Sequence, residues 1–324
     1  MIANTILAFT FTNLITNGAK LGLIFAIMTL GVHISFRILD TADLSIEGVF
    51  PLGGCVCALL IYAGVPALLA CLIAMVAGAI GGFITGILHT KLKIPMILSG
   101  IITMTGLYSI NLMILGFTNT GGSTTRATLP ITNKSTMFYP LAKLLVDLGV
   151  SGRYATMISV LLIGAICLAA IYAIIYYFFG TEIGMSLRAT GDNERMAKAQ
   201  GINTNVMKIV GLMISNALIA LAGALFAQNT GTANVTSGRG MIVIGLASII
   251  IGEVIFGRKA YSMQLVSLVV GTIIYFMLRQ IAIELNLSEY LDIASAILIV
   301  IILALPLIKK KVIHKKDLRR DSDA

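Results

Sequence analysis

Tryptophan is absent from the 324 residues, and only 11% of them are charged. A soluble globular chain carries about 25% charged residues. With 58% hydrophobic residues and a mean hydropathy of +0.98, too little polar surface remains to cover a water-soluble core. The chain is therefore read as an integral membrane protein, with no soluble domain of useful size left over. Lacking Trp, its interfacial aromatic belt rests on Tyr and Phe, for instance Tyr139, Tyr172, Tyr176 and Tyr177. The four cysteines, Cys55, Cys57, Cys71 and Cys167, all fall in apolar segments. CVC at 55–57 is not a zinc spacing, so they are read as small buried hydrophobes. His33, His89 and His314 form no ligand cluster. No P-loop, nucleophile elbow or HExxH sequence occurs, so the chain does not itself hydrolyse ATP and is not read as an enzyme. No cofactor is expected on it. The N-terminus has neither a basic leader region nor a clear cleavage site, and residues 1–13 read as a short interfacial piece.

Long apolar runs are what the chain does have. The fold class predicted is all-α and polytopic, with about nine spans: 14–36, 45–63, 65–89, 95–117, 153–179, 207–228, 241–256, 262–283 and 290–308. A net charge of +9 would suggest nucleic acid in a soluble protein, but in a membrane protein Lys and Arg mark the cytoplasmic side. The tail KKKVIHKKDLRR puts the C-terminus inside. Arg37, TKLK at 90–93, the 180–206 loop and GRK at 257–259 then also fall inside. The loop 118–152, rich in Thr, Ser, Gly and Asn, lies outside as a solvated connection, and so does the N-terminus. Residues 1–308 form one transmembrane domain, and 309–324 a basic cytoplasmic tail.

An internal repeat is visible. DTADLSIEGVFPLGG (40–54) resembles GTANVTSGRGMIVIG (231–245), and VAGAIGGF (76–83) resembles VVGTIIYF (269–276). The first copy starts inside and the second outside, so the copies, about 40–117 and 231–308, are inverted. Pro51, Gly53 and Gly54 interrupt the second span; Gly238, Gly240 and Gly245 interrupt the seventh. Interrupted helices at matching positions of inverted repeats point to a transporter's substrate path. The alternative is that these glycines only allow close helix packing.

Polar residues within the spans add to the candidate path: Asp43, Ser45, Glu47, Gly54, Asn111, Asn216, Asn234, Thr236 and Gly245. Asp43 and Glu47 also suit a helix N-terminus, where the helix dipole favours a carboxylate. Asn111 and Asn216 either contact substrate or bridge helices. Glu253 suits a pair with Arg258 or Lys259.

The longest charged connection is 180–206. Met185 to Thr190 suits a short helix, Gly191-Asp192-Asn193 a turn, and ERMAKAQ a second helix. Gly201 suits the position just past that helix, and Asn203 can cap the next one. By itself this is either a docking element or an ordinary connection. LRATGDNERMAKAQGIN resembles the coupling loop of ABC importer permeases of the branched-chain amino acid and ribose type. Gly191, Asn193, Glu194, Ala197, Gly201, Ile202 and Asn203 match that pattern, and Arg188 precedes them. Asp43-Leu44-Ser45-Ile46 resembles the family's DLSVG, and Ala222-Gly223 its small-residue packing site. Glu47 and Glu253 stand where the family usually has glycine.

The resemblance implies a second permease subunit, most simply a copy of this chain, and two cytoplasmic ATPases docked on the 180–206 loops. It also implies an extracytoplasmic binding lipoprotein, with ATP and Mg on the ATPases, and a small solute as cargo. A branch linked to aromatic amino acids is similar too. Without the resemblance, a secondary transporter with inverted repeats fits as well.

Overall fold

The computed structural model describes residues 2–117, 127–131, 136–257, 261–284, 293 and 300. Helix α1 (Ile2–His33) runs into a π-helical turn (Ile34–Ile38). It is followed by α2 (Ile46–Tyr62), α3 (Ala67–Thr90) and α4 (Met96–Gly116). Strand β1 (Thr128–Pro130) and helices α5 (Tyr139–Asp147) and α6 (Gly152–Phe178) come next. Two short helices, α7 (Glu182–Asp192) and α8 (Glu194–Ala199), lead into α9 (Thr204–Thr230). Strand β2 (Thr232–Asn234) and a 3-10 turn (Val235–Gly238) precede α10 (Met241–Phe256) and α11 (Tyr261–Glu284).

Local chemistry sets these boundaries. Pro66 and Pro95 immediately precede α3 and α4 in extended backbone, as a residue that fixes φ and lacks an N–H allows at a helix start. Asn203 caps α9 by accepting from Val206 N–H, and Gly231 ends it in a left-handed conformation. Among the described residues, seven helices are long and apolar enough to cross a membrane, and α2 is a shorter apolar one. Each of the first eight predicted spans coincides with a helix. The ninth, 290–308, lies outside the described residues except for 293 and 300, and the tail 309–324 lies wholly outside them.

Two expectations are corrected. Residues 2–13 are not a separate piece; they begin α1, and neither Gly nor Pro occurs in its first 16 residues. The 118–152 connection is not a plain loop. Within it, β1 pairs antiparallel with β2, with Leu129 opposite Ala233. Leu129, Ile131, Ala233 and Val235 are buried with Cys55, Ala58, Leu115 and Ala227. Met137 N–H donates to Gln228 Oε1 at 2.7 Å, while Gln228 Nε2 donates to the Cys57 and Cys71 thiols at 3.2 and 3.0 Å. Burial of alternate strand residues and one buried amide thus hold the connection in place.

The described structure divides into two compact units, 23–246 and 1–22 with 247–324. In the second unit, the backbones of α10 and α11 meet where a side chain at Gly252 or Gly271 would overlap main chain. In the first, α9 is gripped by α2 and α3. A Cβ at Gly53 would overlap the Ala220 carbonyl, and one at Gly223 would overlap the Phe50 carbonyl. On α3, Gly78 and Gly82 meet α9 backbone at Asn216 and Leu212. The outward face of α3 instead shows Leu68, Leu72, Val76, Ile80 and Phe83. Small residues inside and large ones outside is how helices pack where lipid is as apolar as a side chain. Phe25, Phe50 and Phe226 close the α1–α2–α9 junction with ring centroids 5.4–5.7 Å apart.

These contacts give a paired prediction. Gly223→Val forces α2 and α9 apart and should cost about 3 kcal/mol or more, since overpacking a tight contact costs typically 1–3 and occasionally more. Gly106 has open space around its Cα. Gly106→Ala in α4 should stabilise the helix by about 0.5–1 kcal/mol. Thermal unfolding of the two variants in detergent checks both signs.

Candidate functional site

The 180–206 segment folds as two short helices bound to the rest of the 23–246 unit. Thr181 caps α7 by accepting from Gly184 N–H. Asn193 separates the helices in extended backbone and caps α8 by accepting from Met196 N–H at 3.1 Å. Gly191 and Asp192 do not turn, as the sequence suggested; they complete α7. The reason is contact: a Cβ at Gly191 would overlap the Ile38 carbonyl. Gly201, at φ +82°, ends α8. Gly201 N–H donates to Lys198 O at 3.0 Å and Ile202 N–H to Ala197 O at 3.1 Å, the pair of bonds of a Schellman motif.

Side chains fasten the pair. Leu187 and Ala197 are buried. Arg188 lies over the Phe179 ring and donates to Phe179 O at 3.3 Å. Glu194 accepts from Lys198 and from Lys208 of α9, both at 2.8 Å, and from Thr204 Oγ1 at 3.3 Å. These two ammonium groups hold the Glu194 carboxyl down at about 2. Arg195 and Met196 point away, with Met196 59% exposed, and α7 likewise exposes Ile183 and Met185. Beside α7 and α8 opens a cavity of about 470 Å³ lined by Asp40, His89, Gly191, Glu194 and Lys208.

A second cavity, of about 340 Å³, lies between α2, α4 and the 3-10 turn. Of the predicted path residues it holds Glu47, Asn111 and Thr236. Pro51 gives no N–H to the Glu47 carbonyl, and Gly238 packs directly onto that carbonyl. The Glu47 carboxylate accepts from Gly240 N–H at 3.0 Å. Asn111 Nδ2 donates to Gly48 O at 3.2 Å, while its Oδ1 is buried without a partner. Such an unsatisfied buried acceptor costs about 1–3 kcal/mol. Gly48, Pro51, Met104, Thr105, Tyr108, Val235 and Arg239 complete the wall. Apart from Pro51, read as a helix interruption, sequence reasoning missed these as lining residues. Arg239, a basic residue in the interrupted 231–245 stretch, was the one signal available.

The other predicted residues lie elsewhere. Asp43, Ser45 and Asn216 form a fully buried network. Asp43 Oδ1 accepts from Ser45 N–H at 2.8 Å and Oδ2 from Asn216 Nδ2 at 2.8 Å. Ser45 Oγ donates to Asn216 Oδ1 at 3.4 Å. Asp43 thus sits at the start of α2 and ties it to α9. Asn234 plays the same local part before the 3-10 turn, accepting from Thr236 N–H and from Thr236 Oγ1, each at 2.9 Å. Gly54 abuts Ala227 and Gly223, and Gly245 abuts Val32; neither lines the cavity. Arg258 and Lys259, suggested partners of Glu253, are outside the described residues.

Residues 14–305 match the family described as branched-chain amino acid transport system / permease component. The chain belongs to this family. It is a multi-pass permease of the bacterial plasma membrane and not an enzyme, since in such ABC transporters ATP hydrolysis resides on a separate subunit. Permeases of this kind work with ATPase and binding-protein components. The tyrosine transport system permease protein of Clostridioides difficile is 37% identical over 87% of this chain and 88% of its own. The autoinducer 2 import system permease LsrC of Yersinia pseudotuberculosis is 28% identical over 65% of this chain and 54% of its own. Among solved structures, PsaBC from Streptococcus pneumoniae in complex with Fab superposes with a TM-score of 0.52 at 16% identity. It covers 93% of this permease and 95% of the PsaBC chain, a likeness of fold alone.

The Glu194 cluster gives a pH prediction. Its carboxyl falls from an ordinary 4.5 to about 2 in the folded protein. A depressed pKa stabilises fully above the unfolded value and loses that effect as pH falls through the folded one. Hydrogen-exchange protection of α8 should therefore be constant above about pH 4.5 and decline between there and about pH 2. Glu194→Gln should lower protection at neutral pH and flatten this dependence.

Proposed function

We propose that this permease is the translocating subunit of an ATP-driven importer for a small solute, an amino acid and most specifically an aromatic one. Family membership carries the reading, and the tyrosine permease at 37% identity supports the substrate class. Two copies of the chain form the path. Two cytoplasmic ATPases, which hold ATP and Mg, dock on the 180–206 segments, and an extracytoplasmic binding lipoprotein delivers the solute. The chain itself binds no cofactor. It has nine spans, with the N-terminus outside and the C-terminus inside.

Two geometric observations favour this arrangement. The first is the paired helices α7 and α8, fastened on one side by Glu194, Ala197 and Arg188 and presenting Ile183, Met185, Arg195 and Met196 on the other. A rigid mount with an exposed apolar face suits a docking element. The second supports inverted repeats. Asp43 and Asn234 stand 191 residues apart, and the side chain of each accepts from the N–H two residues on, at 2.8 and 2.9 Å, just before α2 and before the 3-10 turn that leads into α10. At that same offset, Glu47 corresponds to Gly238, and these two residues are in contact. Equivalent residues meet where a pseudo-twofold axis passes, and transporters hold substrate near that axis. The path then runs by Glu47, Asn111 and Thr236, while Asp43, Ser45, Asn216, Asn234, Gly54 and Gly245 shape the helices that line it.

The docking surface is tested by Arg195→Glu with Met196→Asp. The double variant should fold, yet copurify with about one-tenth or less of the ATPase, as loss of a buried apolar anchor at an interface costs about 1.4 kcal/mol or more. Unchanged copurification and unchanged uptake of labelled tyrosine would remove this assignment. Orientation is tested with single cysteines in a background lacking the native four. In intact cells an impermeant thiol reagent should label Tyr139→Cys and spare Met196→Cys. Equal labelling of both overturns the topology and, with it, the inversion of the repeats.

A further inference from the structure

Two opposite charges face one cavity without meeting. Glu47 and Arg239 both line the space between α2, α4 and the 3-10 turn. Among the described residues, neither forms an ion pair with the other or with any third residue. One oxygen of Glu47 is anchored by Gly240 N–H at 3.0 Å. This fixes the carboxylate's position and leaves its charge unneutralised. Arg239 is exposed and directly precedes Gly240, so the guanidinium springs from the backbone next to that anchor.

Asn111 supplies an independent sign. It is fully buried, it lines the same cavity, and its Oδ1 accepts no hydrogen bond. Its Nδ2 is committed to Gly48 O at 3.2 Å, which settles which end of the amide is the acceptor. A buried acceptor with no donor in the chain has hydrogen-bonding capacity left for a bound molecule. The rest of the wall mixes apolar and aromatic side chains, Pro51, Met104, Val235 and Tyr108, with the hydroxyls of Thr105 and Thr236. A volume of about 340 Å³ is at the small end of small-molecule sites.

From these residues we propose that the cavity is a cradle for a zwitterionic α-amino acid. Its ammonium donates to the Glu47 carboxylate and to Asn111 Oδ1; its carboxylate accepts from Arg239; its side chain lies against Tyr108 and Met104. The charges of the ligand complete the charges of the wall. A sugar can hydrogen-bond Glu47 and Arg239 but neutralises neither charge, and an anion matches Arg239 alone while meeting Glu47 as a like charge. The proposal rests on the amino-acid importer reading and adds to it a specificity step within the permease.

The test uses the complete importer, permease with ATPase and binding protein, in cells without other tyrosine uptake. Labelled L-tyrosine is the probe, and copurified ATPase measures assembly. Glu47→Gln keeps the acceptor for Gly240 N–H and removes only charge. Glu47→Gln and Arg239→Gln should each lower import about tenfold or more, the scale of a lost charged hydrogen bond, in complexes that still assemble. Arg239→Lys, which keeps the charge and loses the planar fork, should lower import less than Arg239→Gln does. Import within about twofold of wild type in both Gln variants overturns the cradle and leaves the importer reading standing. Full import in Arg239→Gln alone removes the carboxylate contact assigned to Arg239 and overturns the cradle. A wild-type complex that imports no amino acid removes the importer reading and the cradle together.

Discussion

Backbone-to-backbone contact at glycine is the constraint on which the 23–246 unit depends. In lipid, apolar side chains gain little by leaving the solvent, so helices associate through close packing and a few polar bonds. Here α9 is approached by α2 at Gly53 and Gly223 and by α3 at Gly78 and Gly82, where main-chain atoms of one helix occupy the space a side chain would fill. With the backbones this close, the polar groups between them can be short and few. Asp43, Ser45 and Asn216 are one such group, and Gln228 with the Cys57 and Cys71 thiols is another. Each is dry and has its partners, as burial in a low-dielectric interior demands.

Pro51, Gly53 and Gly54 do not interrupt the second span as the sequence suggested: α2 runs unbroken from Ile46 to Tyr62, and the same grip explains how it tolerates a proline. Pro51 opens the ladder of α2 at the Glu47 carbonyl. Gly238 covers the carbonyl, and the carboxylate of the same residue caps the chain at Gly240. A carbonyl freed by proline is tolerated inside protein, and here the freed Glu47 carbonyl is packed against Gly238, next to the cavity that Glu47 and Pro51 line.

The α7–α8 pair follows a different logic. Neither helix is long enough to be stable alone. Capping by Thr181 and Asn193, the termination at Gly201 and the Glu194–Lys208 bridge to α9 hold them on the unit. Because Glu194 is used inward, its neighbours Arg195 and Met196 remain for a partner. In the proposed importer, a push on this rigid pair reaches α9 directly, and α9 carries it to the helices it packs against.

The membrane class, the places of eight helices and the ends of α8 and α9 were written in the sequence. They depend on local properties: apolar runs, the φ freedom of Gly201 and the capping side chain of Asn203. The family was legible for the same reason, since its pattern is contiguous at 188–203 and 43–46. Three of the nine predicted path residues line the cavity, and six of its other residues were missed, because lining a cavity depends on which helix faces which. Asp43 and Glu47 lie one turn apart in the same stretch, yet one is sealed against Asn216 and the other borders the cavity. Gly54 and Gly245 resembled path residues by position, and only the placement of Gly223 and Val32 made them packing contacts. The β1–β2 ribbon was invisible because each strand has three residues, too short for any alternation, and its register comes from burial beneath Leu115 and Cys55. The sequence by itself determined what the chain is made of and where it turns; contacts between residues far apart along the chain decided which of its polar groups were sealed into the packing and which border the cavity.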